Sequence, residues 1–300
     1  MFDIRADRAE ERAAEFQCRR LDTLEKVAEH AQAAVIASPT ESHADVGCRL
    51  MEAGVDVMVE KPIAATPAEG RKLVEAAARL GRVLQVGHLE RFNPAVLALQ
   101  AAITQPLFFE VHRLSEFSPR SLDVDVVLDL MIHDIDIVLA LLGKMPEEIR
   151  AAGIHILSRK VDIANVRLQF AGGAIANLTA SRVSTERVRK LRLFQPHEYI
   201  SLDYSRQDVV RFQVKPGAPG GLPGIGFAPL AVAKDEPLKL ELEDFFECIT
   251  THRSPRVTGA QALAALEVAC SIADKIEEHR LIVEQALEPP RPGVYGTGPA

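Results

Sequence analysis

The chain has 300 residues, 47% of them hydrophobic and 26% charged, with a formal charge of -7, which is ordinary material for two domains with separate cores. Its acidic balance, without a basic block or interleaved aromatics, excludes a nucleic-acid surface, and no apolar run approaches the roughly 20 residues of a membrane span. Cys18, Cys48, Cys248 and Cys270 stand apart with no C-x-x-C spacing, so they read as free thiols of a cytoplasmic protein.

In chain order, Met1 to Arg5 reads as the tail of a strand that delivers an acid, Asp3, and Asp7 is placed to cap a helix running to about Phe16. A helix from Thr23 to His30 leads to an apolar strand, Ala33 to Ala37, that stops at Ser38-Pro39. Helix His43 to Ala53 follows. Next comes Gly54-Val55-Asp56-Val57-Met58-Val59-Glu60-Lys61-Pro62, an apolar run of the kind buried on both faces of a parallel sheet, ended by a proline that has no amide for a ladder. Thr66-Pro67-Ala68-Glu69 is a capping box with Pro at the first helical position. That helix ends at Leu80 before Gly81, and Arg82 to Val86 is a further strand. Strands alternating with helices predict a doubly wound parallel sheet.

After Gly87-His88-Leu89-Glu90-Arg91-Phe92-Asn93-Pro94 and a helix to about Ile103, the pattern changes. Segments 106–114, 148–156, 163–170, 174–181, 190–195, 199–204 and 209–214 read as strands. Several alternate polar and apolar residues, and Gly172-Gly173 marks a hairpin. Into this series is set one helix, about Val124 to Leu142, apolar nearly all round and therefore buried. Two more helices, Leu238 to Thr251 and Gly259 to His279, close the chain. The predicted fold is α/β: an incomplete N-terminal Rossmann-type parallel sheet (1–104) joined to a C-terminal α+β domain with a large open, mainly antiparallel sheet (105–287), and a disordered tail (288–300). Lys215 to Pro229, rich in Gly and Pro, reads as a surface loop, with a lid or subunit contact as the sharper possibility.

In an open parallel sheet, ligands sit beyond the carboxyl ends of the strands, which is where Lys61 falls. Apolar walls there would desolvate its ammonium and lower its pKa toward proton-transfer duty; the alternative is a solvated turn. In the apolar helix, Asp129 and His133 are four apart and Asp136 lies a turn further along the same face. A buried carboxylate demands a partner, and an imidazole is a natural one. Together with Lys61 this predicts an active site in the cleft between the domains. Ser38, Pro39 and His43 follow a strand end where a cofactor would lie, although His43 also fits a solvated helix residue. His88 follows a glycine that suggests close approach. Arg91 and Asn93 suit a hydroxylated or phosphorylated substrate, or a surface salt bridge. The remaining histidines, at 30, 112, 155, 197, 252 and 279, show no metal spacing, so no metal is assigned.

Ala37-Ser38-Pro39 with His43, Glu60-Lys61-Pro62, Gly87-His88 with Arg91, and Asp129 with His133 resemble the glucose-fructose oxidoreductase and inositol dehydrogenase (Gfo/Idh/MocA) family from Asp3 to about Lys275. The resemblance implies hydride transfer between a ring carbon of a sugar, cyclitol or nucleotide-sugar and a nicotinamide. Lys61 and His133 would handle the hydroxyl proton and Asp129 would position the imidazole or the substrate. Asp3 would hold the adenosine ribose and favour NAD over NADP. Ser38, Pro39, His43, Glu60, Lys61 and His88 would line the cofactor. The segment from Arg113 to Arg120, leading into Asp123, resembles the UDP-N-acetylglucosamine 3-dehydrogenase branch, with Arg113 and Arg120 facing a diphosphate. Two departures stand out. Met131 occupies a position where the family often has Gly. The glycine-rich turn and first strand expected ahead of Asp3 are also absent, which points to an internal start in a longer natural chain. A binding protein without turnover is the competing class, against which the proton-transfer set speaks. The broad sheet hints at a homo-oligomer.

Overall fold

The computed structural model describes residues 1–118, 124–215 and 224–287. It opens with α1 (Ala6–Glu15) and α2 (Leu24–His30), the second capped by Thr23, whose hydroxyl accepts from the Lys26 amide. The first core is built on a three-stranded parallel sheet of β1 (Ala33–Ile36), β2 (Asp56–Glu60) and β3 (Leu84–Gly87), in that order. Helices α3 (His43–Glu52) and α4 (Pro67–Leu80) connect the strands, and Leu50, Met51, Val57, Val59, Leu73 and Val86 are buried between the layers. Helix α4 starts with the expected capping box, Thr66 and Glu69 each serving the other's amide, and ends at Gly81 with φ of 62°, a left-handed turn that costs glycine nothing.

Two expectations at the start of the chain are corrected. Residues 1–5 form no strand: Met1 exchanges backbone hydrogen bonds with Arg19 and Leu21, but the pairing does not extend into a ladder. Asp7 does not cap α1. The cap position is Arg5, without a side-chain cap, and Asp7 sits in the first turn, where it accepts from the Arg5 guanidinium at 2.9 Å.

Helix α5 (Pro94–Ala102), capped by Asn93, leads into an eight-stranded sheet. Its strands are β4 (Phe108–Leu114), β5 (Pro146–Ile154), β6 (Ile163–Phe170), β7 (Ile175–Ser181), β8 (Val188–Gln195), β9 (Glu198–Asp203), β10 (Asp208–Lys215) and β11 (Gly224–Pro229), ordered β11-β10-β9-β8-β4-β7-β6-β5. All neighbours are antiparallel except β4 and β7. The expected loop over 215–229 is therefore partly strand: Val210 to Lys215 pair with Pro229 to Gly224. The Gly-Pro composition hid an edge strand, where a missing donor or side chain costs little. The expected disordered tail, 288–300, lies outside the described residues.

One face of this sheet is packed by α6 (Ile132–Leu142), preceded by a π-helical turn over Val127–Met131. The same face receives part of α8 (Gly259–Leu287), a helix of 29 residues that follows α7 (Pro237–Thr251). Helix α8 serves both cores: Ala262 and Leu266 pack with the three-stranded sheet, and Ala265, Val268, Ala269, Ile272 and Ile276 with the eight-stranded one. The start of α8 approaches β3 so closely that a Cβ on Gly259 would lie 2.6 Å from Leu84 Cδ2 and 3.2 Å from Val74 Cγ2. Gly259→Ala should therefore cost about 1–3 kcal/mol through overpacking, read as a lowered midpoint in urea unfolding followed by circular dichroism.

Candidate active site

The carboxyl ends of β1, β2 and β3 face the start of α6. Lys61, directly after β2, reaches across the gap, and its Nζ donates to the Asp129 carbonyl oxygen at 2.8 Å and lies 3.4 Å from Oδ1. Asp129 belongs to the π-helical turn, a widened coil that often marks functional sites. One turn on, His133 is half-buried. Burial, then the cations Arg113 and Lys61, hold its imidazole well below the usual histidine range. At neutral pH the ring is uncharged and has a lone pair free to accept a proton.

Behind His133 lies His88, 1% exposed, its ring edge-on to the His133 ring with centroids 6.1 Å apart. His88 Nδ1 is 4.0 Å from Asp136 Oδ2. Asp136 is buried and engages Arg91 at 3.3 Å, while the second arm of Arg91 donates to the Arg256 carbonyl. Burial, more than the neighbouring charges, depresses His88 too. Asp129, His133 and Asp136 thus share one helix face and meet Lys61, His88 and Arg91 in turn.

The remaining expected residues fall in distinct places. Ser38 and Pro39 are exposed at the end of β1. His43 is buried, with Nδ1 3.0 Å from the Pro62 carbonyl and Nε2 2.9 Å from that of Ser38, so it ties the ends of β1 and β2 together. Glu60 turns back to the Lys61 amide, and a Cβ on Gly87 would lie 3.0 Å from its Oε2. Asp3, near the chain start, accepts from the Arg5 amide and lies 3.6 Å from Arg8.

Arg91, Asn93 and Arg113, the expected substrate contacts, are buried and make internal hydrogen bonds. Asn93 donates to Glu90 and to the Tyr204 carbonyl. Arg113 holds Asp134 through two bonds of 2.7 Å, donates to Glu90 at 2.9 Å and stacks over the Tyr204 ring. Arg120 lies outside the described residues. Sequence reasoning missed Asp134, Glu90 and Tyr204, since a partner from another strand leaves no local spacing to read.

Glu241 of α7 was missed as well. It is 1% exposed, its Oε1 has no hydrogen-bond partner, and burial, then Glu60 and Asp244, raise its pKa from the ordinary 4.5 to about 8.

For a nicotinamide cofactor the fit is divided. The strand ends around Lys61, Gly87 and His88, with both buried His88 nitrogens unpartnered, suit the ring end. The described residues contain no glycine-rich strand-to-helix turn to cradle a pyrophosphate, and none is assigned to it. Among the described residues no group of three or more His, Cys, Asp or Glu is placed to hold a metal, and no helix is long and apolar enough to cross a membrane.

A parallel half-sheet with a lysine at its strand end, facing a neutral histidine from a second sheet, defines a two-lobed oxidoreductase of the nicotinamide-dependent class. Residues 1–88 match the oxidoreductase family with an NAD-binding Rossmann fold, and residues 95–195 match the GFO/IDH/MocA C-terminal domain. The chain belongs to the GFO/IDH/MocA family. Among its relatives, a UDP-N-acetylglucosamine 3-dehydrogenase of Acidithiobacillus ferrooxidans is 36% identical, over 92% of this chain and 89% of its own length. A solved structure of that enzyme superposes with a TM-score of 0.87 at 34% identity, again over 92% and 89%. An inositol 2-dehydrogenase of Rhizobium meliloti is 27% identical over 91% of this chain and 87% of its own.

Glu241 yields a prediction with a definite sign. Between pH 4.5 and 8 the unfolded chain ionises this carboxyl while the folded chain keeps its proton, so stability from this group is lost as pH rises. Glu241→Gln should raise stability by about 1–3 kcal/mol at pH 8 and leave it unchanged at pH 4, measured as thermal midpoints across that range.

Proposed function

We propose that the protein is a cytoplasmic dehydrogenase that moves hydride between a secondary alcohol of a nucleotide-sugar and NAD. The carrying observation is the meeting of Lys61 with Asp129, one helical turn before a neutral His133. The nucleotide-sugar is preferred to a free sugar or cyclitol because the relative that is 36% identical acts on one. Four free cysteines accord with a reducing compartment.

In the oxidative direction the bound nicotinamide supplies the hydride acceptor. His133 takes the hydroxyl proton, its lone pair kept available by burial and by the surrounding cations. Lys61, oriented by its bonds to Asp129, donates to the substrate oxygen as negative charge develops there. His43 holds the loop that carries Lys61. Lys61→Ala should cut turnover by a factor on the order of 10² or more, followed by absorbance of the reduced nicotinamide with UDP-N-acetylglucosamine, free sugars and cyclitols. Turnover equal to the parent's removes Lys61 from the mechanism, and a parent that binds these compounds but oxidises none favours the binding-protein reading.

A homo-oligomer formed through the eight-stranded sheet belongs to the same reading. The face turned away from the helices carries an aromatic row of Phe108, Phe194, Tyr199, Phe212 and Phe227, with successive centroids 4.8–5.7 Å apart. Phe227 is 64% exposed, and exposed apolar arrays of this size mark interfaces. Beside the row lies a concavity of about 750 Å³ lined by Glu110, His112, Asn165 and Arg167 among others. A second copy would cover both. Sedimentation velocity should give a mass above that of one chain, falling to a single chain for Phe212→Asp/Phe227→Asp.

A further inference from the structure

Strands β4 and β8 lie side by side, and on the helix-packed face their register pairs Phe109 with Leu193, Val111 with Leu191, and then Arg113 with Arg189. The first two pairs are fully buried and apolar. The third sets two guanidiniums directly opposite each other, which destabilises a sheet unless carboxylates intervene. Two carboxylates do, but both lie closer to Arg113. Asp134 is held bidentate, and Glu90 Oε1 accepts from Arg113 at 2.9 Å while standing 3.9 Å from Arg189. Arg187, just ahead of β8, is exposed and adds a third positive charge, with no ion pair among the described residues. Arg113 and Arg189 therefore depend on two carboxylates, with Arg187 beside them, at the end of these strands nearest His133. Arg189 is 30% exposed, enough to meet a ligand. Burial first, then the like charges of Arg113 and Arg187, make its cation less favourable than usual, and both Arg113 and Arg189 lower the imidazole of His133.

The geometry points to Arg187 and Arg189 as the anion-binding end of the substrate site, taking the phosphate oxygens of a nucleoside-diphosphate sugar whose ring faces His133. This rests on the dehydrogenase reading above and deepens it by naming the residues that would choose a nucleotide-sugar over an uncharged cyclitol. A phosphate supplies the negative charge that the protein withholds from this edge, and planar guanidiniums bind it through paired N–H groups. The position expected to meet a diphosphate, Arg113, is instead the buried support beneath it.

The test is calorimetric titration of the full chain with UDP-N-acetylglucosamine, inorganic pyrophosphate and myo-inositol. The parent should bind the first two. Arg189→Gln should weaken both about tenfold or more, and Arg187→Gln about threefold or more, with binding in the parent falling as salt rises. Arg187 is exposed, so its variant folds even if Arg189→Gln does not, and Arg189→Lys, which keeps the charge but not the paired N–H groups, should bind more weakly than the parent and more tightly than Arg189→Gln. Variants that bind UDP-N-acetylglucosamine as tightly as the parent overturn the assignment of these arginines and leave the nucleotide-sugar reading standing. A parent that binds myo-inositol but neither phosphate compound overturns both. A parent that binds none of the three also overturns the proposed site.

Discussion

The candidate site turns on a contact between the lobes, that of Lys61 with Asp129. An ammonium donating to a backbone carbonyl and a carboxylate is worth little on an exposed surface. Here the partners are only about a quarter exposed, 21% and 29%, and each comes from an element whose position another core fixes. Strand β2 is locked by Val57 and Val59, fully buried in the first core, and the π-helical turn by Val127 and Met131 in the second. The two cores share α8, so neither sheet can shift by an ångström without disturbing that helix, and the Lys61 contact inherits its precision from packing rather than from its own strength.

Around that contact the charges come in matched sets: the part-exposed Lys61 with Asp129, and the buried Arg91 with Asp136 and Arg113 with Asp134 and Glu90. Leaving Arg91, Arg113, Asp134 or Asp136 unpaired in the interior costs several kcal/mol. His133 sits among them without a carboxylate of its own, since Asp129 is taken by Lys61 and Asp136 by Arg91. An imidazole surrounded by cations and given no anion stays neutral, and a neutral imidazole is what a hydroxyl proton needs as its acceptor. The expected contact of Asp129 with His133 is replaced by one with Lys61.

The parts legible in the sequence were those set by local spacing. The Thr66–Glu69 box, the left-handed Gly81 and the four-residue step from Asp129 to His133 are each fixed within one or two helical turns. So is the alternation of β6, whose residues Ala164, Val166, Leu168 and Phe170 are buried and whose Asn165, Arg167 and Gln169 are exposed. What escaped required a partner far away in the chain. The Met1–Arg5 segment has strand composition but pairs only at Met1, with Arg19 and Leu21, and Gly224–Pro229 has loop composition but finds β10. Glu90 and Asp134 take their partner Arg113 from 23 and 21 positions away, and the backbone of Glu241 meets Gln85 from 156 away. Even Arg189, which breaks the inward alternation with Leu191 and Leu193, acquires meaning only when register sets it opposite Arg113.

That distinction between local and non-local order also separates the two ends of the site. The end proposed to handle the proton is assembled on a single helix face, where a shift of one residue would turn Asp129 and His133 away from Lys61 altogether. The arginine end is assembled across strands, at the rim of a sheet where β8 enters from an irregular segment and side chains reach solvent. Chemistry common to every secondary alcohol belongs on the rigid helix, because the reacting atoms tolerate little displacement. Recognition of a remote charged group belongs on the strand rim, where a guanidinium attracts phosphate over several ångströms and needs no such exactness. On the proposed reading, what is accepted at the rim can change without disturbing Lys61 and Asp129, since Arg187 and Arg189 carry none of the hydrogen bonds that hold those two in place.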